Sequence, residues 1–211
     1  MRKDTILKIL KLLKKSYTAN VKPWLKKSDP YKTLISTILS AQTTDDQVDK
    51  ITPELFQEYP TPSKLGKAKV AEVERIIKSV GLYKAKARNV IATGRMIVEE
   101  FGGQVPQARA DMVRLPGVGR KTANVVLIKS FNEPAMPVDT HVFRVANRIG
   151  LAIAKTPEKT EEQLVKIIPR KDLGAAHFWL ISHGRVICHA RSPECERCSV
   201  ARYCQYFKEL K

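Results

Sequence analysis

Leu115-Pro116-Gly117-Val118-Gly119-Arg120-Lys121-Thr122-Ala123 decides how the rest of the chain is read. Helical residues precede it, and Thr122 to Lys129 resumes a helical pattern. Two glycines two apart permit positive φ and let a phosphate approach the backbone. The amides that open the next helix point outward, and the helix dipole there favours an anion. The expected unit is a helix–hairpin–helix that grips a DNA phosphate without reading sequence. The alternative is a plain helix–turn–helix loop. A nucleotide-binding P-loop is excluded, because the glycine spacing differs and no strand precedes it.

Outward from the hairpin the apolar pattern stays helical. Ile6, Ile9, Leu10 and Leu13 fall at i, i+3, i+4, i+7, and Val73, Ile76, Ile77 and Val80 repeat the spacing. Leu164, Ile167 and Ile168 continue it, as do Phe178 and Ile181. No stretch alternates with period two for long enough to read as a sheet. Prolines and glycines cut the chain into about ten helices of roughly 8–18 residues. The expectation is an all-α protein. One weak echo stands out: Lys86-Ala87-Arg88-Asn89-Val90 follows Gly81, as Lys121-Thr122-Ala123-Asn124-Val125 follows Gly117 and Gly119. Shared helix-start chemistry explains that echo nearly as well as a repeat does.

The chain has 211 residues, 38 Lys+Arg against 21 Asp+Glu, and a net charge of +17. That excess implies an anionic partner, nucleic acid first and an anionic membrane surface as the competing reading. By quarters (1–50, 51–100, 101–150, 151–211) the net charge is +6, +3, +4 and +4, so the excess is no tail. No apolar run approaches the roughly 18 residues of a membrane span. Lys8, Lys11, Lys14 and Lys15 interrupt the N-terminal segment and exclude a secretory apolar core.

Lys121 falls in the first turn of a helix, where the dipole opposes an ammonium and lowers its pKa. A free lysine, pKa about 10.4, is neutral in roughly one molecule in two thousand at pH 7, so a nucleophilic amine needs such help. Position alone leaves two readings open, a nucleophile or one of many phosphate-binding lysines. Pro137-Val138-Asp139-Thr140-His141-Val142-Phe143-Arg144-Val145 places Asp139 at a helix N-cap. Capping and chemistry are compatible, because backbone donors fix such a carboxylate and keep it ionised. His141, two residues on, reads by itself as a surface histidine.

Cys188, Cys195, Cys198 and Cys204 form C-x6-C-x2-C-x5-C and are the only cysteines. Without a secretion signal disulfides are disfavoured, and four thiolates this close suggest a metal centre. Zinc sites usually carry two short knuckles; here there is one. The wider loops favour a [4Fe–4S] cluster, with zinc as the alternative.

Together these elements resemble the endonuclease III family of helix–hairpin–helix DNA glycosylase/AP lyases. The resemblance spans essentially the whole chain and includes Leu39-Ser40-Ala41-Gln42-Thr43-Thr44-Asp45, Gly81-Leu82-Tyr83 and His183-Gly184-Arg185. It implies two α-helical domains flanking a DNA-binding groove. One is a six-helix barrel with the hairpin, residues 23–133. The other joins 1–22 to 134–211 and carries the [4Fe–4S] cluster on Cys188, Cys195, Cys198 and Cys204.

The implied activity is base excision repair by a bifunctional enzyme. It removes oxidised pyrimidines and cuts the strand 3′ to the abasic site by β-elimination. Lys121 is the implied nucleophile and Schiff-base residue, and Asp139 its acidic partner. Gln42 fills the gap opposite the orphaned base, Leu82 is the apolar wedge, and His141 lies near the gap. Gly117, Gly119, Arg120 and Arg191 complete the DNA contacts. The implied partner is double-stranded DNA with oxidised pyrimidines or abasic sites, met by a monomer in the cytoplasm, at the nucleoid, with no membrane role. Two departures from the family pattern are visible. Glu194 opposes Arg191 in the first cysteine loop, and Thr43 stands where alanine or cysteine is common, with no clear consequence. The competing class is a non-enzymatic iron–sulfur protein that binds DNA or senses redox state.

Overall fold

A computed structural model describes residues 1–21 and 27–210 of the chain. Among them there are twelve α-helices, short 3-10 turns and no strand. The order is α1 (Lys3–Val21), α2 (Pro30–Leu39), α3 (Asp45–Glu58), α4 (Pro62–Gly66), α5 (Val70–Ile76), α6 (Tyr83–Phe101), α7 (Arg109–Met112), α8 (Arg120–Val126), α9 (Thr140–Ile149), α10 (Pro157–Ile167), α11 (Leu173–Val186) and α12 (Gln205–Glu209). The all-α expectation holds, with two more helices than the breakers suggested. The extra ones are pieces of four to seven residues, too short to show a full apolar period. No described helix is long and apolar enough to cross a membrane.

Helix starts follow the local chemistry. Asp29, Thr61, Thr156 and Asp139 each cap a helix by accepting from a backbone N–H in its first turn. Proline opens α2, α4 and α10, where its missing N–H has no intrahelical partner to lose. Helix α8 begins at Arg120, two residues earlier than the pattern indicated, and runs into a π-helical turn, Leu127–Phe131.

The chain divides into two compact units, Met1–Lys26 with Glu133–Lys211, and Lys27–Asn132. The expected border between residues 22 and 23 lies outside the described residues. In the first unit, α1 buries Ile6, Ile9, Leu10 and Leu13, its predicted apolar face, and packs on α11, which packs on α9. In the second, Val73, Ile76, Ile77 and Val80 are buried, and α4 lies tightly on α6. That approach depends on glycine. A Cβ on Gly94 would stand 2.8 Å from the Pro62 carbonyl oxygen, and one on Gly66 2.7 Å from the Arg95 nitrogen.

Candidate functional site

In the Lys27–Asn132 unit the hairpin runs from Leu115 to α8. Gly117 has φ +79°, in the left-handed region, and a Cβ there would press on Asn89 at 3.0 Å. Gly119 differs from the reading above: its φ is −90°, in extended backbone. It caps α8 and has open space where a Cβ would stand, so its value is access to the backbone and not positive φ. Thr93 on α6 donates to the Pro116 carbonyl at 2.8 Å and ties the hairpin down. Lys121 is exposed in the first turn of α8, beside half-buried Arg120.

Gln42 and Leu82 share an unusual property. Both are exposed, and both are non-glycine residues in left-handed backbone, φ 54° and 58°. Asn132 is the one other such residue among those described. A left-handed L-residue costs roughly 1–2 kcal/mol, and such strain gathers at functional sites. Leu82 is 64% exposed at the start of α6, where a leucine gains nothing from burial.

In the other unit Asp139 occupies the N-cap of α9 as expected, its carboxylate accepting from the Val142 N–H at 2.8 Å. The buried His177 of α11 bonds the Pro137 carbonyl at 2.8 Å through Nδ1, which fixes the extended segment ahead of the cap. His141 is half-buried, 3.1 Å from an Arg144 nitrogen through Nδ1 and packed against Gly184. It is thus held by α9 and α11, and is less of a surface residue than its position alone implied.

The four cysteines line one cavity, with His183, Ile149 and Tyr206 among its walls. All four are free thiols, two buried and two half-buried. Among the described residues, no three His, Cys, Asp or Glu side chains converge closely enough to hold a single metal ion. Four thiols lining one shared cavity suit the iron–sulfur cluster that the cysteine spacing suggests. Burial and the neighbouring cysteines push the Cys198 thiol up to about 11, and burial also raises Cys195 and Cys204. Four thiolates there need compensating cations, which a [4Fe–4S] core supplies on ligation.

Helix α9 holds this loop from its other end. Arg144 donates to the Cys188 carbonyl at 3.1 Å and the Gly184 carbonyl at 2.9 Å. Arg148 donates to the His189 carbonyl at 2.6 Å and the Ala190 carbonyl at 2.8 Å, and lies 3.6 Å from Cys188 Sγ. One helix therefore begins at Asp139 and ends on the cysteine loop. His183 stands 3.5 Å from Cys198 Sγ through Nε2 and shares a hydrogen bond with the Tyr17 hydroxyl at 2.9 Å through Nδ1. Sequence reading missed these supports, since an arginine on an amphipathic helix gives no sign of which carbonyls it will meet. Within the loop Arg191 is exposed, and Glu194 faces Arg197 and His189 instead of opposing Arg191.

Comparison with known proteins agrees with this arrangement. The family "HhH-GPD superfamily base excision DNA repair protein" matches residues 35–170, and the "iron-sulfur binding domain of endonuclease III" matches residues 188–204. Endonuclease III of Rickettsia conorii is 45% identical over 211 residues, all of both chains. That of Escherichia coli strain K12 is 45% identical over 183 residues, 87% of each. A solved structure of a trapped endonuclease III–DNA covalent intermediate, an estranged-adenine complex, is 38% identical with a TM-score of 0.91, covering 100% of this chain and 99% of that one. The chain belongs to the endonuclease III family of helix–hairpin–helix base excision DNA repair proteins, with a C-terminal [4Fe–4S] cluster domain.

Proposed function

We propose that this protein excises oxidised pyrimidines from double-stranded DNA and cuts the strand 3′ to the resulting abasic site, with Lys121 as nucleophile. Its family makes it a base excision repair enzyme, a DNA glycosylase with AP lyase activity. The observation that carries the assignment of Lys121 is its place. It is an exposed amine in the first turn of the helix that follows a glycine hairpin. The Lys27–Asn132 unit would serve as the hairpin-bearing domain, and the unit carrying the four cysteines as the iron–sulfur domain.

The damaged nucleotide leaves the stack, because its sugar cannot be attacked inside the duplex. Leu82 holds the neighbouring bases apart and Gln42 occupies the space left opposite. The α8 amides beyond Gly119, with Gly117 and Arg120, hold a phosphate. Arg191 adds a contact from the cysteine loop. Unprotonated Lys121 Nζ attacks C1′; the N-glycosidic bond breaks and its electron pair leaves with the base. The sugar ring opens to a protonated Schiff base. Loss of a C2′ proton then expels the 3′ phosphate. Asp139, fixed by its cap, stabilises the positive charge that develops at C1′, with His141 two residues on in the same helical turn. Cys188, Cys195, Cys198 and Cys204 would hold the [4Fe–4S] cluster, which would order the C-terminal tail.

Borohydride should reduce the Schiff base and join the protein to thymine-glycol or abasic DNA. Lys121→Gln should abolish that product while keeping DNA binding and the visible absorption of the cluster. Undiminished trapping by Lys121→Gln would remove the residue from its role.

A further inference from the structure

The two lysines of the echoing segments have opposite fates. Lys121 is exposed, whereas Lys86 on α6 is 4% exposed, a charged group in the core. An ammonium has three N–H donors and no acceptor. Lys86 directs all three at one turn. It donates to the Leu39 carbonyl at 2.7 Å, to the Ala41 carbonyl, and to Thr43 Oγ1 at 2.9 Å. Leu39 ends α2, so the cation sits at the negative pole of that helix and satisfies carbonyls its last turn leaves open. Gln42, with φ 54°, lies between two of these three anchors.

The same lysine is one helical turn from the other strained residue. Its backbone N–H bonds the Leu82 carbonyl at 3.0 Å, and Leu82 opens α6 at φ 58°. The two turns also meet directly. A Cβ on Gly81 would stand 3.1 Å from the Gln42 carbonyl oxygen and 3.8 Å from Thr43 Oγ1. Gln47 on α3 adds a bond to the Ser79 carbonyl.

We propose that Lys86 and Thr43 form a lock joining the Gln42 turn to the Leu82 turn, so that gap-filler and wedge enter the duplex as one preformed element. This rests on the reading of Gln42 and Leu82 given above. Thr43, which stands where alanine or cysteine is common in the family, supplies the third acceptor. Its hydroxyl hydrogen goes to the Ala41 carbonyl at 3.4 Å, and its oxygen is left to accept from Lys86. Lys86 is a positioning residue; it stabilises two left-handed backbones that the chain would otherwise relax on the free protein. Burial pulls its ammonium below the usual lysine range, and the three acceptors replace the water a charged group loses there.

The test uses the full-length holoenzyme as Lys86→Met, Thr43→Ala and Leu82→Ala. Single-turnover Schiff-base formation is measured on an abasic site in a fully paired duplex and on the same site inside a mismatched bubble, where neighbours are already unstacked. Lys86→Met should lose about 10- to 100-fold on the paired duplex, the scale of a misplaced positioning group, yet stay within about threefold of wild type on the bubble. Thr43→Ala, a substitution on the loop surface that leaves two anchors, should lose a smaller factor in the same pattern. Both should speed amide hydrogen exchange from Gln42 to Asp45. Equal loss on both substrates, or no loss in either variant, overturns the lock. So does unchanged exchange at this turn. If exchange quickens in both variants but Leu82→Ala shows no preference for the bubble, the wedge assignment fails and the lock is only structural. If Lys86→Met does not fold, Thr43→Ala decides alone.

Discussion

Arg148→Met isolates the link between α9 and the cysteine loop. Methionine keeps the aliphatic length and removes the guanidinium. The variant loses two charge-assisted hydrogen bonds, to His189 and Ala190 carbonyls at 2.6 and 2.8 Å. It also loses a contact 3.6 Å from Cys188 Sγ and a stack 4.6 Å above the Tyr206 ring. A hydrogen bond to a charged group contributes about 1.5–3 kcal/mol, and the Ala190 bond is exposed and counts at the low end or below. The cation–π contact adds about 0.5–1 kcal/mol. Together these give about 3 kcal/mol, all of it local to the loop. At 1.4 kcal/mol per decade, opening of the cysteine loop becomes about 100-fold more frequent. Decay of the cluster's visible absorption in excess iron chelator reads that opening directly when reclosing is fast. The variant should bleach about 100-fold faster at an unchanged cluster content in freshly prepared protein. Arg148→Lys should fall between, having the charge without the fork that reaches two carbonyls. Bleaching of Arg148→Met within about twofold of wild type would refute the argument that these bonds hold the loop.

Three further outcomes follow from particular contacts. Gly94→Ala should lower the melting temperature: its Cβ would lie 2.8 Å from Pro62 O and 2.9 Å from Gly66 N, so α4 must shift, at about 1–3 kcal/mol beyond the roughly 1 kcal/mol gained in helix propensity. An unchanged melting temperature would show that α4 yields freely. Leu82→Gly relieves a left-handed backbone and removes an exposed side chain, so it should stabilise the free protein by about 1 kcal/mol while slowing processing of paired duplex; a destabilised variant would contradict the strain at φ 58°. Asp139→Asn should keep the α9 cap and the melting temperature but slow base removal by orders of magnitude, whereas Asp139→Ala should also lose about 1 kcal/mol of stability. Equal turnover in Asp139→Asn and wild type would leave the aspartate as a cap alone.

The hairpin, the capping aspartate and the clustered cysteines were legible in advance because their signals are local. A glycine turn, a capping aspartate and four closely spaced cysteines are defined by neighbours within ten residues. Gly119 shows the limit even there: a glycine pair suggested two positive φ values, and only Gly117 adopts one. Glu194 shows another, since its partner Arg197 is as near in sequence as Arg191, while its other partner His189 is farther. Which neighbour a side chain meets depends on how the loop turns, and composition does not encode that.

The sequence by itself determined an all-helical chain, the hairpin, the capped aspartate, the thiolate set and the family. It did so because period, turn chemistry and motif spacing are properties of short segments. Only the tertiary structure decided what supports them. Lys86 and Lys121 sit in matching sequence contexts, yet one is exposed at a helix start and the other is buried against Leu39, Ala41 and Thr43, more than forty residues away. A buried charge is tolerated only where the fold delivers enough acceptors to replace water, and those acceptors come from the end of α2 and the turn that follows it. The same holds for Arg148 and the carbonyls of the cysteine loop. The partner of a long polar side chain is set by packing between distant segments, and no local pattern records it.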